Sequence, residues 1–422
     1  MNYTEKSREI PVCDKYDVVV VGSGPAGVTA AIAAGRQGVK VLLLEMLNAV
    51  GGISTSGLMS HWTGTCGNKI YHEYLERAGK KNKFPCEWKE TIDPELLKNT
   101  YYEMLEEAGV DILLYTIVCD VMMEGDRVVG VIGQSKSGRV AYRAKVVIDA
   151  SGDGDVAYRA GAAYTLGRDN DHKMQPATLM FKVGGVDMDR AVFPPSFETI
   201  VDTPKGELQA LAREILPKPA GHVLLYRSTF PGIVTCNMTN ATDIDGTKVE
   251  DLTKAELICR SQMGPIVDFL HEYVPGYENC YIISAASLIG IRETRHFHGM
   301  YTINEQEIYE AKQFDDAVVF DAWFNFDIHN IEGSGLDAHG SQKHFEQKKG
   351  YTIPYGCMVP EKIDGLLLSG RNISGTHVAH SNFRAMPICS GIGEADGIAA
   401  ALAVKAGIQV RDVSPKEIQK YL

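Results

Sequence analysis

Four short stretches of this 422-residue chain set titratable or cationic side chains beside glycine or proline turns, where loops commonly present reacting groups. "GTHVAHSNFRAMP" carries His377, His380 and Arg384, and "IGIRETRHFHG" carries Arg292, Arg295 and His296. "NFDIHN" contributes His329 and "YTIPYGC" contributes Tyr355. A histidine with an ordinary pKa moves protons near neutral pH. An arginine supplies a fixed charge whose planar fork grips a carboxylate through two bonds. Each group also has a structural reading. His377, between a threonine and a valine, suits a hydrogen-bonded loop; Arg292 and Arg295 suit ion pairs with Glu293 and other carboxylates; Tyr355 suits a wall of the core. Nothing in the spacing of the histidines specifies metal ligation, so no metal is expected.

These groups need a frame, and the N-terminal stretch "DVVVVGSGPAGVTAAIAAGRQGVKVLLLE", residues 17–45, predicts one. The β-branched run before Gly22 has the pattern of a strand buried on both faces of a parallel sheet. Gly22, Gly24 and Gly27 follow in GxGxxG spacing around Ser23, Pro25 and Ala26. The first glycine allows the tight turn, the second lets a pyrophosphate approach the backbone, and the third lets helix and strand pack closely. An alanine-rich helix ending near Gly38 and a second apolar strand lead to Glu45, 18 residues after the third glycine. That carboxylate is placed to accept from a ribose diol and to repel a 2′-phosphate. The unit predicts an adenine dinucleotide, FAD or NAD. The next residues favour FAD: after Met46, "NAVGGIS" sets Gly51 and Gly52 six and seven residues beyond the acid, with Ile53 and Ser54 behind them. A nicotinamide-dependent dehydrogenase usually runs straight on into a helix there. His61, in "LMSHWTG", follows the glycine pair and is a further candidate to approach the flavin ring.

Composition bounds the alternatives. A length of 422 residues predicts two domains. The formal net charge of −12 argues against nucleic acid, which needs clustered lysine and arginine. No unbroken apolar run has the length of a membrane span, and the first residues lack the apolar centre of a signal peptide, so a cytoplasmic location without membrane partners is expected. The nine cysteines are scattered and include no CxxC, which suggests reduced thiols, most of them buried.

Later stretches extend the pattern. "AKVVIDASGDGDVAYRAGA" reads as a strand and a turn through Ala150, Ser151 and Gly152. "GLLLSG" reads as another buried strand with Gly370 and Arg371 at its C-terminal edge, where ligands of open α/β sheets collect. The small-residue run after it predicts a helix starting near Gly391 and Gly393 with unpaired N–H groups at its N-terminus. Residues 111–150 read as a β-meander with turns at Gly125 and near Gly138, and "HVLLYRSTFPGIVTCNMT" as antiparallel strands. Thr253 with Glu256 fits a capping box opening a helix through about Tyr273.

Taken with "MQPATLMFKVGGVD" and "DGLLLSGRNISGTHVAHSNFRAMPICSGIGEADGIAAALA", these motifs make the chain resemble the FAD-dependent oxidoreductase family. The resemblance extends to the glutathione-reductase-like flavoproteins and, distantly, to the fumarate reductase flavoproteins. It implies an α/β fold in which a Rossmann-like FAD-binding domain, a parallel sheet plus the meander, is interrupted by an α+β substrate or cap domain. The expected divisions are residues 1–170 and 351–422 for the FAD domain and 171–350 for the insertion. It also implies that Val118 meets the adenine through its backbone and that His377 and Arg384 lie beside the flavin, as acid/base and as substrate anchor or electrostatic stabiliser. Relatives that attach FAD covalently place a histidine near the segment reading "GGISTSG" here; none occurs there, so non-covalent FAD is expected.

The expected reaction is hydride transfer between a small organic substrate and the flavin N5. Open alternatives are a flavin-dependent monooxygenase and a flavin-carrying electron-transfer subunit. With no second GxGxxG after a strand and no CxxxxC pair, the electron donor or acceptor is external and unidentified. A homodimer is the base-rate expectation.

Overall fold

A computed structural model describes residues 3, 4, 6–84, 91–194, 199–337 and 350–422. Five short strands form a parallel sheet in the order Leu366–Leu368, Val146–Asp149, Val18–Val21, Val41–Leu44, Asp111–Leu113. All but the last are fully buried, because helices cover one face and a second sheet the other. That second sheet is the expected meander, Ile117–Glu124, Arg127–Ser135 and Gly138–Arg143, with Val12–Cys13 added in parallel at its edge.

The insertion has a hydrophobic core of its own, drawn from residues 177–286 with Ile289 and Ile291 at its border. Its antiparallel sheet runs Leu225–Arg227, Val234–Cys236, Phe181–Gly184, Tyr281–Ala285, so the strands expected in that stretch are present. The chain rejoins the first core at Phe297, well before residue 350. Strand Ala317–Ala322 pairs with Tyr351–Pro354 on the cofactor-domain side, which moves the expected boundary. A two-stranded antiparallel ribbon, Tyr164–Leu166 with Arg295–Phe297, stands where the chain leaves the first core and returns to it.

Two helix starts differ from expectation. Val249–Tyr273 begins four residues before Thr253, whose hydroxyl donates back to Val249 O; the acids in its first turn, Glu250 and Asp251, face the positive helix end instead. The C-terminal helix runs Met386–Ala406, so Gly391 and Gly393 lie in its interior and their N–H groups are not its free ones. Pro387 near the first position marks the start. The two glycines serve contact: a Cβ on Gly393 would lie 2.0 Å from Ala26 O, and one on Gly391 2.9 Å from Cys66 Sγ. Gly397, one turn on, brings the same face equally close to Ala30 O of helix Pro25–Arg36. The C-terminal helix is long and apolar enough to cross a membrane, but 89% of its most apolar stretch is buried inside the protein. Cysteines 13, 66, 119, 236, 259, 280, 357 and 389 are unpaired; Cys86 lies outside the described residues.

Gly393→Ala should force the two helices apart and destabilise the protein by about 2 kcal/mol or more. Gly79→Ala, in helix Ile70–Lys80 with its nearest neighbour 3.7 Å away, should stabilise by about 0.5–1 kcal/mol. Urea unfolding of both variants checks the contrast.

Candidate active site

The glycine turn has the three local roles its spacing requires. Gly22 has φ +90°, and a Cβ there would lie 2.4 Å from Ala150 O. One on Gly27 would lie 1.9 Å from Gly22 O, whereas one on Gly24 meets nothing within 4 Å. The backbone is therefore packed at the first and third glycines and open at the second, above the first N–H groups of Pro25–Arg36. Gly51 N–H donates to Ser23 O at 2.7 Å, and a Cβ on Gly52 would lie 3.0 Å from Gly24, so the second glycine pair is drawn onto the first turn. Ser54 donates its hydroxyl to Gly51 O, and Ile53 sits beneath Gly57. Met46 is exposed beside the buried Glu45.

Glu45 is oriented by the chain itself. Its Oε2 accepts from Ser23 N–H at 2.8 Å and Ser23 Oγ at 2.6 Å, and its Oε1 from Leu47 N–H at 2.8 Å. A carboxylate has about four acceptor positions, which leaves room for a ribose hydroxyl. Thr116 N–H donates to Glu45 O, so the strand carrying Val118 starts beside this acid. On the other side Asp149, at the end of its strand, accepts the N–H groups of Ser151, Val156 and Ala157 and the Ser151 hydroxyl. Burial pushes its pKa up to about 6 against those bonds. It fixes the turn Ala150–Gly152, over which Arg371 lies: a Cβ on Gly152 would be 2.9 Å from Arg371 Nη2. Gly370 comes within contact of Ala26. Most of the residues expected at the cofactor lie around this turn, whereas Gly391 and Gly393 lie in the interior of a helix.

Next to this turn the segment Arg292–His296 assembles a polar cluster. Glu293, with no side-chain exposure, accepts from His377 Nδ1 at 2.5 Å and His296 Nε2 at 2.8 Å on Oε1, and from Gln175 N–H on Oε2. Burial opposes its ionisation, but the two imidazoles outweigh that and hold the carboxyl well below the usual range. His377 opens the short helix His377–Phe383 behind its cap Thr376. With Nδ1 held by the carboxylate, Nε2 is the ring atom left to exchange a proton. His380 sets its ring edge-on to His296 at 4.5 Å. Glu293, His296 and His380 each bring a potential ligand atom within 4.8 Å of the others. Arg371 and Arg384 both bear on His380, and Glu293 Oε1 is already shared by two imidazoles, a setting that suits protons better than a divalent cation.

Arg384 donates through Nη2 to Asp327 O at 2.7 Å and Asp327 Oδ2 at 2.9 Å. His329 Nε2 lies 3.4 Å from the same carboxylate. Burial works against ionised Asp327, but His329, Arg384 and Arg292 hold its pKa well down. Burial, reinforced by Arg292, pushes His329 down to about 4. His61 stacks on Tyr226 at 5.0 Å, and burial pushes Tyr226 up to about 12. Arg295 donates to Asp153 O and pairs with Asp155, a structural role. Tyr355 is a correction: it is buried in the first core with its hydroxyl on Val410 O at 2.8 Å, because the turn after Tyr351–Pro354 packs inward. Glu293, Asp327 and Asp149 are the site residues that sequence spacing did not single out.

The sequence profile of the family described as FAD dependent oxidoreductase matches residues 17–422. The chain belongs to that family. FAD is accordingly the cofactor, and the open backbone at Gly24 with the oriented Glu45 fits its pyrophosphate and ribose. The chain is 29% identical over 200 residues to digeranylgeranylglycerophospholipid reductase 1 of Methanococcoides burtonii, covering 42% of this chain and 47% of that protein. It is 34% identical over 155 residues to the thiamine thiazole synthase of Methanococcus vannielii, covering 33% of this chain and 56% of that one. The chain thus spans about half the length of these curated relatives. The solved structure of the flavin-dependent brominase Bmp2 superposes with a TM-score of 0.51 at 14% identity, covering 97% of this chain and 83% of the other, a likeness of fold.

The cluster also sets a pH dependence of stability. Burial, with His329 and Arg292 nearby, pushes His222 down to about 3. His222 and His329 therefore stay neutral in the folded protein while the unfolded chain protonates them below 6.5. Their contribution is complete above pH 6.5 and is lost as pH falls towards 4. The unfolding free energy from urea titration should drop across that window, by on the order of 2 kcal/mol per histidine, and His329→Gln should flatten part of the drop. A midpoint independent of pH between 6.5 and 4 would contradict the assignment.

Proposed function

We propose that this protein is an oxidoreductase with non-covalently bound FAD that exchanges a hydride with a carbon of a small organic substrate. When bound, FAD supplies the redox chemistry at its N5. The observation that carries the reading is the 2.5 Å contact between His377 Nδ1 and the buried Glu293, beside the cofactor turn. Glu293 fixes the tautomer of His377, leaving Nε2 to take a proton from a substrate hydroxyl or carbon as hydride leaves, or to return one in the reductive direction. Arg384, steadied by Asp327, fixes a positive charge on the substrate side. Gly290, where a Cβ would lie 3.4 Å from Ile53, brings the insertion against the second glycine pair's segment.

Purified protein should be yellow, and denaturation followed by filtration should release FAD into the filtrate. His377→Gln should keep the flavin spectrum and its photoreduction, yet slow substrate-dependent bleaching by about 100-fold to 10,000-fold. Glu293→Gln should shift the pH profile of the same step. An unchanged bleaching rate in His377→Gln would remove this histidine from the mechanism. Stoichiometric consumption of NADH and oxygen would replace the proposed reaction with a monooxygenase.

A further inference from the structure

Arg292 is a half-buried cation whose hydrogen bonds go only to neutral groups. Its Nη1 donates to Pro176 O at 2.6 Å and Thr178 Oγ1 at 2.8 Å. Among the described residues its Nε and Nη2 donate to nothing, and it forms no ion pair. The acid that bears on it, Asp327, is already engaged by Arg384, and Arg384 itself keeps a buried Nε without a partner. Burial, with Arg384 adding to it, pushes even this guanidinium down to about 10. Close by, Gln175 spends its Oε1 on His329 N–H and leaves a buried Nε2 unpartnered.

The charges do not balance. Arg292 and Arg384 contribute two positive charges, Asp327 one negative, and His329 is neutral near pH 7. Among the described residues of this group one positive charge remains without an ionic partner, on the half-buried Arg292. A singly charged planar anion balances it, and a guanidinium fork with free donors is matched to a carboxylate. A phosphate monoester, with nearly two negative charges at pH 7, would overshoot. The site also stands where a substrate must be held: Arg371, lying over the Ala150–Gly152 turn, reaches Arg292 O at 3.4 Å, and the residue after Arg292 is the carboxylate that holds His377.

We propose that Arg292, with Arg384 beside it, receives the carboxylate of the substrate, so that the protein acts on a carboxylic acid. This rests on the oxidoreductase reading above, since it assumes the acid is the molecule presented to the cofactor. Arg384 then positions Asp327 and closes one side of the anion, while Arg292 is the group whose charge the substrate completes.

The test is calorimetric titration of the FAD-loaded protein and of apoprotein with acetate, butyrate, benzoate and inorganic phosphate, alongside the flavin difference spectrum. At least one monocarboxylate should saturate with a dissociation constant near 1 mM or below, and phosphate should bind at least tenfold more weakly. Arg292→Gln should weaken that carboxylate by roughly 30-fold or more while keeping the FAD spectrum. Its thermal midpoint should be unchanged, since a half-buried charge without an ionic partner has been removed. A merely structural Arg292 would lower the midpoint and leave carboxylate binding intact, and that result overturns the proposal. So does saturation by phosphate ahead of every monocarboxylate, or no saturation by any of the three acids. Failure of the oxidoreductase reading looks different: carboxylates bind, but the protein carries no reducible flavin.

Discussion

The site depends on one buried carboxylate. Glu293 has no solvent to stabilise its charge, so it must be surrounded by donors, and those donors come from three distant parts of the chain: His377 ahead of the C-terminal helix, His296 in the ribbon and Gln175 at the entry to the insertion. Removing one partner would strand a charge in a low-dielectric interior, so the contacts are interdependent. Their neighbours in sequence are fixed with them. Thr294 and Arg295 reach Asp153, Arg371 reaches Asp153 and Arg292 O, and the turn Ala150–Gly152 is thereby tied to the His377–Glu293 pair.

What was legible in the sequence was what is enforced locally. Gly22 is required by its own φ of +90° and Gly27 by a contact with Gly22 O inside the strand–turn–helix unit, and Glu45 bonds Ser23, 22 residues away. The β-branched runs announced strands because both of their faces are buried. The pairing of His377 with Glu293 spans 84 residues and that of Arg384 with Asp327 spans 57, and no periodicity encodes either. Tyr355 shows the converse: a tyrosine in a turn after a strand reads the same whether its hydroxyl meets a substrate or, as here, Val410 O. Gly391 and Gly393 were misplaced because small residues signal close approach without saying to what. The signal for the helix start lay four residues earlier, in Pro387.

Packing divides the labour between the two cores. The first is built on contacts too tight for any side chain, as at Gly393 against Ala26 O and Gly397 against Ala30 O, which hold the cofactor turn rigidly from behind. The second core touches that turn through few points, among them Ser287 N–H on Ser56 O at 3.0 Å and Gly290 beside Ile53. The cofactor turn thus has rigid backing from the first core, and the second core packs separately from it.

The two-stranded ribbon of Tyr164–Leu166 and Arg295–Phe297 carries both chain crossings between the cores, and the segment bearing Glu293 and His296 runs directly into it. The insertion can therefore lengthen, shrink or be rebuilt through evolutionary time as long as its two ends still meet at this ribbon. Such drift would alter the insertion's packing while the His377–Glu293 contact is kept. A fold wired this way can change what it acts on without relearning how it acts.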